Sequence, residues 1–325
     1  QDGPRKSATF SRLENEGKGE MSSRDDEQGG GRLHYFKQNW KKLGSELLDT
    51  MVEKGYTIPT MEEPVVPRDL PEFFGPKEKE KEIKKHVEEL LEKDAIYQVD
   101  GTEARQGVTS PLLLVKKKNG KWRPCMDLRF VNRALPYKKF KMEGLKQLRQ
   151  MIKKGDYMTS IDLKDGYLHV PIAEESQRLL QFKFNNRFYR FRAMPFGLST
   201  APRIFTKILR SVVQVCRARG IRLLVYLDDF IILGESVEQC HRDTQFVLQL
   251  LEQLGWIVNV EKSVLEPKTK LEFLGFVLDT VDMQLLVPKD KRRRFRNSCK
   301  RLVKLATKRV TVKLRTLAAV LGKLQ

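Results

Sequence analysis

The chain has 325 residues, which is enough for two folding units or for one elongated domain with several parts. Hydrophobic residues make up 40% of it and charged residues 32%, a balance typical of globular proteins, so disorder of the whole chain is excluded. The 62 Lys and Arg residues exceed the 42 Asp and Glu residues by 20, and this surplus points to a polyanionic partner, nucleic acid more than anionic membrane. A basic surface without any partner is the alternative.

The first 76 residues are predicted to form two segments. Residues 1–31 contain almost no large apolar side chains and end in three glycines, so we expect them to be disordered. Aromatic residues return after residue 31, and a short helix is predicted to end at Gly55, whose missing side chain suits a helix stop. Residues 32–76 are therefore interpreted as an N-terminal extension that packs on the main body.

Three further helices are predicted along the chain. Residues 77–92 place Ile83, Val87, Leu90 and Leu91 on one face of a charged helix. An apolar stripe runs from Thr200 to Arg219, and Gly220 ends that helix. Ser236 and Gln239 form a capping box that opens the next helix, which runs to residue 254.

Hairpins and single strands are predicted between these helices. The predicted strands are a hairpin over 111–128 with an Asn-Gly turn, a buried strand over 157–163, a hairpin over 181–192, and strands near 256–260 and 271–278. Helices that alternate with hairpins favour an α+β protein over a parallel doubly wound sheet. The tail from residue 289 to residue 323 carries fourteen Lys and Arg residues against one acid, Asp290.

The cysteine and histidine patterns offer no disulfide framework and no zinc site. The four cysteines form no C-x-x-C pair, and the four histidines form no H-x-x-x-H pair. The sequence has no run of 18 apolar residues and no apolar core near its start, so neither a membrane span nor a signal peptide is predicted. We therefore expect an intracellular protein, with cytoplasm and nucleus both open, and an initial Gln indicates a piece of a longer chain.

Two adjacent carboxylates, Asp228 and Asp229, lie between two apolar segments, 223–227 and 230–233. Asp is ordinary in a hairpin turn, so a solvated turn is one interpretation. However, tight hairpin turns prefer Asn-Gly or Asp-Gly, and neighbouring carboxylates beside apolar strands repel one another unless a cation neutralises them. The local sequence leaves a metal site and a solvated turn equally open.

A third acid, Asp162, ends another apolar segment and favours the metal site. Three carboxylates at the ends of neighbouring strands offer the hard oxygen ligands that Mg²⁺ takes together with substrate phosphates. Two such ions about 4 Å apart activate an attacking hydroxyl and stabilise a leaving oxygen. The three acids therefore predict a phosphoryl-transfer site, and the positive charge elsewhere fits a nucleic-acid channel.

At this point the sequence resembles the reverse transcriptases over residues 86–280. The resemblance rests on six blocks in order: SPLLLVKKKNGKWRPCMDLRFVN (110–132), SIDLKDGYLHVPI (160–172), MPFGLSTAP (194–202), YLDD (226–229), LGWIVNVEKS (254–263) and LEFLGFVLDT (271–280). The MPFGLSTAP and FLGF forms are similar to gypsy-type long-terminal-repeat elements. The flanking GRLHYFKQNWKKL and LRTLAAVLGKL are more similar to DIRS-type, tyrosine-recombinase retrotransposons, with hepadnavirus-like polymerases as relatives, and the DIRS type is preferred.

This resemblance implies a right-hand polymerase. Fingers and an antiparallel palm sheet backed by helices would occupy residues 77–280, and a partial basic thumb would occupy 281–325. The reaction would be extension of a primer 3′-hydroxyl with dNTPs on RNA or DNA templates. Ribonuclease H and recombinase or integrase regions of a parent polyprotein would lie downstream.

The resemblance also implies catalytic roles for single residues. Asp162, Asp228 and Asp229 match a triad that binds two Mg²⁺ ions, which Mn²⁺ can replace. Tyr167 matches the aromatic residue that blocks a 2′-hydroxyl, with a core tyrosine as the alternative. Lys262 matches a lysine proposed as proton donor to the leaving pyrophosphate, with a plain phosphate contact as the alternative.

Other matches concern substrate binding. Lys117 and Arg123 match fingers residues that grip the incoming triphosphate, although Lys116 and Lys118 compete with Lys117 for that role. Phe196 and Gly197 match the segment that lines the pocket for nucleotide and template, with core packing as the alternative. Phe273, Leu274 and Gly275 match the primer-grip turn, with a bulged apolar strand as the alternative. The basic tail is expected to contact the nucleic-acid backbone through Lys289, Arg292, Arg293, Arg294 and Arg296.

We therefore predict an RNA-directed DNA polymerase. One alternative is an RNA-dependent RNA polymerase on the same palm, against which Tyr167 argues. The other is an inactive, domesticated nucleic-acid-binding module, against which the three intact acids argue, because an inert module has no physical need for clustered acids in a polyanion-binding cleft.

Overall fold

The computed structural model describes residues 29–322, apart from residues 68, 76, 117–121 and 309. The helices of these residues are α1 Lys37–Lys41, α2 Glu46–Lys54, α3 Glu80–Glu92, α4 Gly101–Ala104, α5 Arg129–Arg133, α6 Leu145–Met151, α7 Glu174–Gln177, α8 Ala201–Ala218, α9 Val237–Gln253, α10 Lys289–Thr307 and α11 Leu314–Leu321. Short 3₁₀ helices lie at Arg32–Phe36, Lys77–Lys79, Gly166–His169 and Arg178–Leu180. Among the described helices, none combines the length and apolar character that a membrane crossing requires.

The strands form four small sheets. They are β1 Phe73–Phe74, β2 Ile96–Val99, β3 Leu112–Lys116, β4 Trp122–Met126, β5 Tyr157–Asp162, β6 Gln181–Phe184, β7 Arg187–Phe191, β8 Arg222–Tyr226, β9 Asp229–Gly234, β10 Val264–Lys268, β11 Lys270–Phe273, β12 Phe276–Asp279 and β13 Gln284–Leu286. The sheet orders are β1-β3-β4, β2-β7-β6, β10-β5-β9-β8 and β11-β12-β13. The described pairs are antiparallel except for β1 beside β3.

The four-stranded sheet β10-β5-β9-β8 is buried on both faces. Phe230 and Ile232 of β9 point into the main core, which also contains the apolar faces of α8 and α9. Ile231 and Leu233, on the opposite face, join a second core with Leu148 of α6 and Phe273 of β11. Burial on both faces explains why β8 and β9 are apolar at nearly every position, since each residue packs against one of two layers.

The strand pairs of the predicted hairpins and the long helices are confirmed, whereas the predicted Asn-Gly turn at 119–120 lies outside the described residues. Antiparallel pairs join β3 with β4, β6 with β7 and β8 with β9. Asn185 and Asn186 both have positive φ, as the tight turn between β6 and β7 requires. Helix α2 ends before Gly55, at φ 87°, and α8 is buried along the predicted stripe.

Four local predictions need correction. Residues 256–260 form no strand, because Trp256 is buried against other rings and only Val258 makes a single bridge, to Leu163. Residues 271–278 form two strands with a turn between them rather than one. Leu91 is 40% exposed, unlike the rest of its predicted stripe. At the start of α9, Gln239 donates its backbone N–H to Ser236, but its side chain accepts from Glu235 rather than from Ser236.

The predicted disordered segment differs from the structure at its last three residues. Residues 1–28 lie outside the described residues, whereas Gly29, Gly30 and Gly31 are buried. Gly30 donates its backbone N–H to the Lys93 carbonyl at 2.8 Å, and a Cβ added at Gly30 would lie 2.4 Å from the Asp94 backbone. Glycine is therefore needed here for close backbone approach, and composition alone does not distinguish this role from flexibility.

Candidate active site

The turn between β8 and β9 presents two carboxylates at one end of the central sheet. Tyr226 pairs with Asp229, so Leu227 and Asp228 form a two-residue loop. Leu227 has a φ of 55°, a left-handed conformation that costs a non-glycine residue about 1 kcal/mol or more. The loop is therefore held in a strained conformation, and Asp229 is a strand residue rather than part of a solvated turn.

The third carboxylate lies beside this turn. Asp162, the last residue of β5, is the direct cross-strand partner of Asp229. Opposed residues on antiparallel strands place their Cβ atoms about 5 Å apart on one face of the sheet. The Leu163 N–H also donates to the Asp228 carbonyl at 3.0 Å, which fixes the turn against β5. The fold thus brings the three predicted acids to one sheet end.

Electrostatic repulsion is strong within this group. Burial, followed by the negative charges of Asp228 and Asp162, raises the pKa of Asp229 to about 6, and the positive charge of Lys262 opposes the rise. The Lys262 ammonium lies 3.5 Å from Asp162 Oδ1 and is itself largely exposed. That oxygen is buried and accepts no hydrogen bond from the described residues. The site therefore holds more negative charge than Lys262 neutralises.

The donor set suits a hard divalent cation. It consists of carboxylate oxygens, and the buried Asp162 Oδ1, which forms an ion pair with Lys262 at 3.5 Å but accepts no hydrogen bond from the described residues, can also bind a divalent cation. In the described part of the chain, however, no three His, Cys, Asp or Glu side chains converge on one point. The residues nevertheless fit such an ion by chemistry and position.

Tyr167 lies next to the acids and between two phenylalanines. Its ring centroid is 5.1 Å from those of Phe196 and Phe205, and the side chain is half-buried. Burial, and then the charge of Asp228, raises the pKa of Tyr167 to about 12. A Cβ added at the preceding Gly166 would lie 3.7 Å from Asp228 Cβ. The predicted sugar-selecting ring is therefore a close neighbour of the carboxylates.

The loop that contains Phe196 and Gly197 is fixed by an asparagine that sequence reasoning did not single out. Asn132 donates its amide N–H to the Gly197 carbonyl at 2.9 Å and accepts from the Ser199 N–H at 2.8 Å. Gly197 has a φ of 110°, and a Cβ there would lie 2.4 Å from the Met126 carbonyl oxygen. Asn132 belongs to the first sequence block, but only the fold shows which loop it meets.

The turn at Phe273, Leu274 and Gly275 joins β11 to β12. Phe273 is buried, whereas Leu274 and Gly275 have positive φ, so a tight turn replaces the alternative of a bulged strand. Lys291, near the start of α10, donates to the Gly275 carbonyl at 2.8 Å. Helix α10 is thereby attached to this turn by a residue that the sequence analysis did not assign.

The other predicted substrate residues are less closely defined. Lys117 lies outside the described residues, and Arg123 is a residue of β4 whose side chain is likewise not described. The basic side chains at the start of α10 are exposed: Lys289, Arg292, Arg293, Arg294 and Arg296. No residue of α10 is buried, so this helix presents an open basic surface.

Comparison with known proteins identifies the family. The family model described as "Reverse transcriptase (RNA-dependent DNA polymerase)" matches residues 115–278, which is half of the chain. This match covers the strands that carry the three acids. The chain therefore belongs to the reverse transcriptase family.

Curated relatives include viral and retrotransposon polyproteins. The chain is 30% identical over 229 residues to "Retrovirus-related Pol polyprotein from transposon gypsy" of Drosophila melanogaster, covering 68% of this chain and 21% of that polyprotein. It is 27% identical over 190 residues to "Pro-Pol polyprotein" of Simian foamy virus type 1, covering 58% and 16% respectively. The "Enzymatic polyprotein" of Figwort mosaic virus is 25% identical over 246 residues, covering 74% and 34%. The chain thus spans between 16% and 34% of the length of these relatives.

Solved structures agree on the fold. The foamy viral protease-reverse transcriptase in complex with dsDNA has a TM-score of 0.65 at 21% identity, covering 89% of this chain and 61% of that chain. The same enzyme in complex with an RNA/DNA hybrid has a TM-score of 0.63 at 19% identity, covering 98% and 40%. The fold is accordingly that of a right-hand polymerase, α+β, as the sequence resemblance implied.

Proposed function

We propose that this chain is an RNA-directed DNA polymerase that extends a primer 3′-hydroxyl with dNTPs and also accepts DNA templates. The observation that carries the proposal is the pairing of Asp162 with Asp229 beside the strained turn of Asp228. Three carboxylates at one sheet end, within a net charge of +20, suit a reaction between polyanionic substrates. Membership of the reverse transcriptase family supports the same reaction.

Each residue near the acids has a proposed part. Asp162, Asp228 and Asp229 would hold two Mg²⁺ ions, or Mn²⁺ in their place. When bound, such ions lower the pKa of an attacking hydroxyl and stabilise charge on the phosphoryl oxygens. Tyr167 would lie under the sugar of the incoming nucleotide. Lys262, which is exposed and cationic, would donate a proton to the departing pyrophosphate or contact its charge.

Further residues would position the substrates. Lys117 and Arg123 would grip the triphosphate, and the Phe196–Gly197 loop would line the nucleotide and template pocket. The Phe273–Gly275 turn would hold the primer end, and the exposed cations of α10 would follow the nucleic-acid backbone. Positioning and charge supply most of the catalysis in phosphoryl transfer, so a rigid sheet end is a suitable platform.

The proposal includes a domain organisation and an origin. Residues 32–76 would be an N-terminal extension, 77–280 fingers and palm, and 281–325 a partial thumb. The flanking sequence blocks support a DIRS-type element, whose polyprotein would add ribonuclease H and recombinase or integrase regions. The relatives' polyproteins are several times longer than this chain, which supports such further regions.

Primer extension with acid-to-amide variants tests the proposal. The chain is incubated with an RNA or a DNA template, a primer, dNTPs and Mg²⁺ or Mn²⁺, and Asp162→Asn and Asp228→Asn are compared with Asp282→Asn. Asp282 is an exposed residue of the turn between β12 and β13, so the control makes the same chemical change away from the site. We expect the first two variants to lose extension and keep template-primer binding, while the control keeps both.

Two outcomes contradict the proposal. If Asp162→Asn or Asp228→Asn extended primers at nearly the parent rate, the acids would not be the catalytic site. If the parent bound nucleic acid but extended no primer, the inactive binding module would be preferred. Preference for ribonucleotides over deoxynucleotides would favour the RNA-dependent RNA polymerase instead.

A further inference from the structure

The 3₁₀ helix that carries Tyr167 needs support from outside. It spans only Gly166–His169, and it follows Asp165, which has a φ of 50°. Short 3₁₀ segments have weak hydrogen-bond geometry and do not hold their position alone. The placement of the Tyr167 ring is therefore set by whatever packs against these four residues.

Residues 30–40, which we name the clamp segment, contact this 3₁₀ helix through the backbone. Gly31 donates its N–H to the Leu168 carbonyl at 2.8 Å, and Gly30 donates to the Lys93 carbonyl at 2.8 Å. The Lys93 ammonium in turn lies 2.6 Å from the carboxylate of Asp165, at the start of the 3₁₀ helix. The clamp segment is thus bonded to the helix directly and also through Lys93.

Aromatic rings make a second connection from the clamp segment to Tyr167. Trp40 is buried, donates its indole N–H to the Leu254 carbonyl at 2.9 Å, and packs edge-on against Trp256. Trp256 packs against His169 and Phe205, with ring centroids 5.3 and 5.4 Å away. Phe205 meets the Tyr167 ring at 5.1 Å. Continuous ring contacts therefore run from the extension to the proposed sugar-selecting residue.

The packing along this path is tight at Gly30 and at Gly255. A Cβ added at Gly30 would lie 2.4 Å from backbone atoms of Asp94, and one added at Gly255 would lie 2.4 Å from the Phe36 ring. Close-packed interiors transmit small displacements because no void absorbs them. We therefore expect a shift of the clamp segment at these two contacts to displace the 3₁₀ helix or the rings around it.

We propose that the clamp segment is a positioning element for Tyr167, so that discrimination between dNTPs and rNTPs depends on residues remote from the carboxylates. The clamp segment acts through the 3₁₀ helix Gly166–His169 and the Trp40–Trp256–Phe205 rings. The proposal rests on the proposed polymerase function, since it concerns the sugar that this site selects.

A matched pair of glycine variants tests the proposal. Gly30→Ala introduces the clash with Asp94, whereas no atom of the described residues lies within 4 Å of a Cβ added at Gly29. For each variant, kcat/KM is measured for a dNTP and for the rNTP with the same base. We expect Gly30→Ala to reduce the dNTP-to-rNTP ratio about three- to tenfold and Gly29→Ala to leave it unchanged. Equal losses for both nucleotides in Gly30→Ala would mean that the segment is only a structural brace, and would overturn the proposal.

A double-mutant comparison shows whether the effect passes through Tyr167. In a Tyr167→Ala background, Gly30→Ala should no longer change the ratio, because the ring that it displaces is gone. A further threefold change in that background would refute the path. If Gly30→Ala fails to fold, Trp40→Phe takes its place, since it retains an aromatic ring but loses the hydrogen bond to Leu254.

Hydrogen exchange provides a readout that does not need catalysis. The amides of Leu168 and Val170 donate to Asp165 and Tyr167 within the 3₁₀ turn. They should exchange faster in Gly30→Ala and in Trp40→Phe than in Gly29→Ala, while the β6–β7 hairpin is unchanged. Equal protection of the Leu168 and Val170 amides from exchange in all variants would refute the proposal that the clamp segment positions this helix. If the parent protein makes no product on any template, the proposed polymerase function is overturned. Hydrogen exchange at Leu168 and Val170 would still show whether the clamp segment stabilises the 3₁₀ helix Gly166–His169.

Discussion

His169 should make the stability of this protein fall between neutral and mildly acidic pH. The ring is buried beside Trp256, with Nδ1 3.3 Å from the Gly166 carbonyl and Nε2 3.3 Å from the Ile257 N–H. The Ile257 N–H can only donate, so Nε2 must be the unprotonated acceptor and Nδ1 the donor to Gly166. Burial lowers the pKa of His169 from 6.5 to about 4, because the protonated ring would be desolvated and would face a second donor.

The size of the effect follows from this lowered pKa. Because the folded-state pKa lies below the unfolded value, the stability contribution is fully present above pH 6.5 and is lost as pH falls toward 4. The whole loss is ~3 kcal/mol at 1.36 kcal/mol for each pH unit between the two values. Between pH 7 and pH 5.5 the expected part of it is about 1 kcal/mol.

Urea unfolding of the parent and of His169→Gln at pH 7 and pH 5.5 measures the loss in free energy of unfolding that His169 causes over this interval. Gln offers an amide oxygen and an N–H but does not titrate, so its variant should lose about 1 kcal/mol less than the parent over the interval. The comparison cancels the contribution of carboxylates and other histidines, which both proteins share. Identical pH dependence in the two proteins would show that His169 does not titrate as the buried geometry requires.

The remaining predictions concern the site and the basic helix. Tyr167→Ala should lower dNTP-over-rNTP discrimination in kcat/KM roughly ten- to a hundredfold, because the ring excludes the 2′-hydroxyl, and Tyr167→Phe should keep the discrimination. Equal discrimination by the parent and both variants would make Tyr167 a core residue. Removal of residues 289–325 should weaken template-primer binding. It should also reduce the slope of the logarithm of the binding constant against the logarithm of salt concentration by about 0.7–0.9 for each lost phosphate contact. An unchanged slope would place α10 away from nucleic acid. In metal-free buffer at pH 7.5, Asp229→Asn should raise the free energy of unfolding by about 1 kcal/mol, after allowance for solvent screening. The reason is that burial, and then repulsion from Asp228 and Asp162, raises the pKa of Asp229 to about 6, so that its charged form is unfavourable above that pH. Mg²⁺ should then stabilise the parent more than the variant in thermal unfolding, and equal stabilisation would argue against Asp229 as a ligand.

The acids could be located from sequence because their positions depend on local pattern. A two-residue turn between apolar strands fixes where Asp228 and Asp229 lie, and the end of β5 fixes Asp162. The register that places Asp162 opposite Asp229 joins two distant parts of the chain. The resemblance to reverse transcriptases implied that these acids form one triad, but the local pattern of apolar residues does not specify which residues face each other. The strain at Leu227 had no sequence signal, since leucine is not a residue that favours positive φ.

The supporting residues could not be located, because each acts on a distant part of the chain. Asn132 holds the Gly197 loop, and Lys291 holds the Gly275 turn. Their side chains are ordinary in composition, and only their tertiary contacts distinguish them from exposed neighbours. The predicted strand at 256–260 failed for a related reason, since Trp256 forms ring contacts instead of a ladder.

Gly29, Gly30 and Gly31 show most clearly where the structure differs from what the sequence predicts. Glycine is favoured both where a chain is flexible and where backbones meet too closely for a Cβ, so composition supports either interpretation. At Gly30 the structure decides for close approach, with Asp94 at 2.4 Å from an added Cβ. Because that approach places Gly31 on the Leu168 carbonyl, a segment that appears dispensable in sequence contacts the turn that carries Tyr167. A truncation that extends through Gly31 should therefore disturb that turn, and a lower dNTP-over-rNTP ratio of kcat/KM would show it.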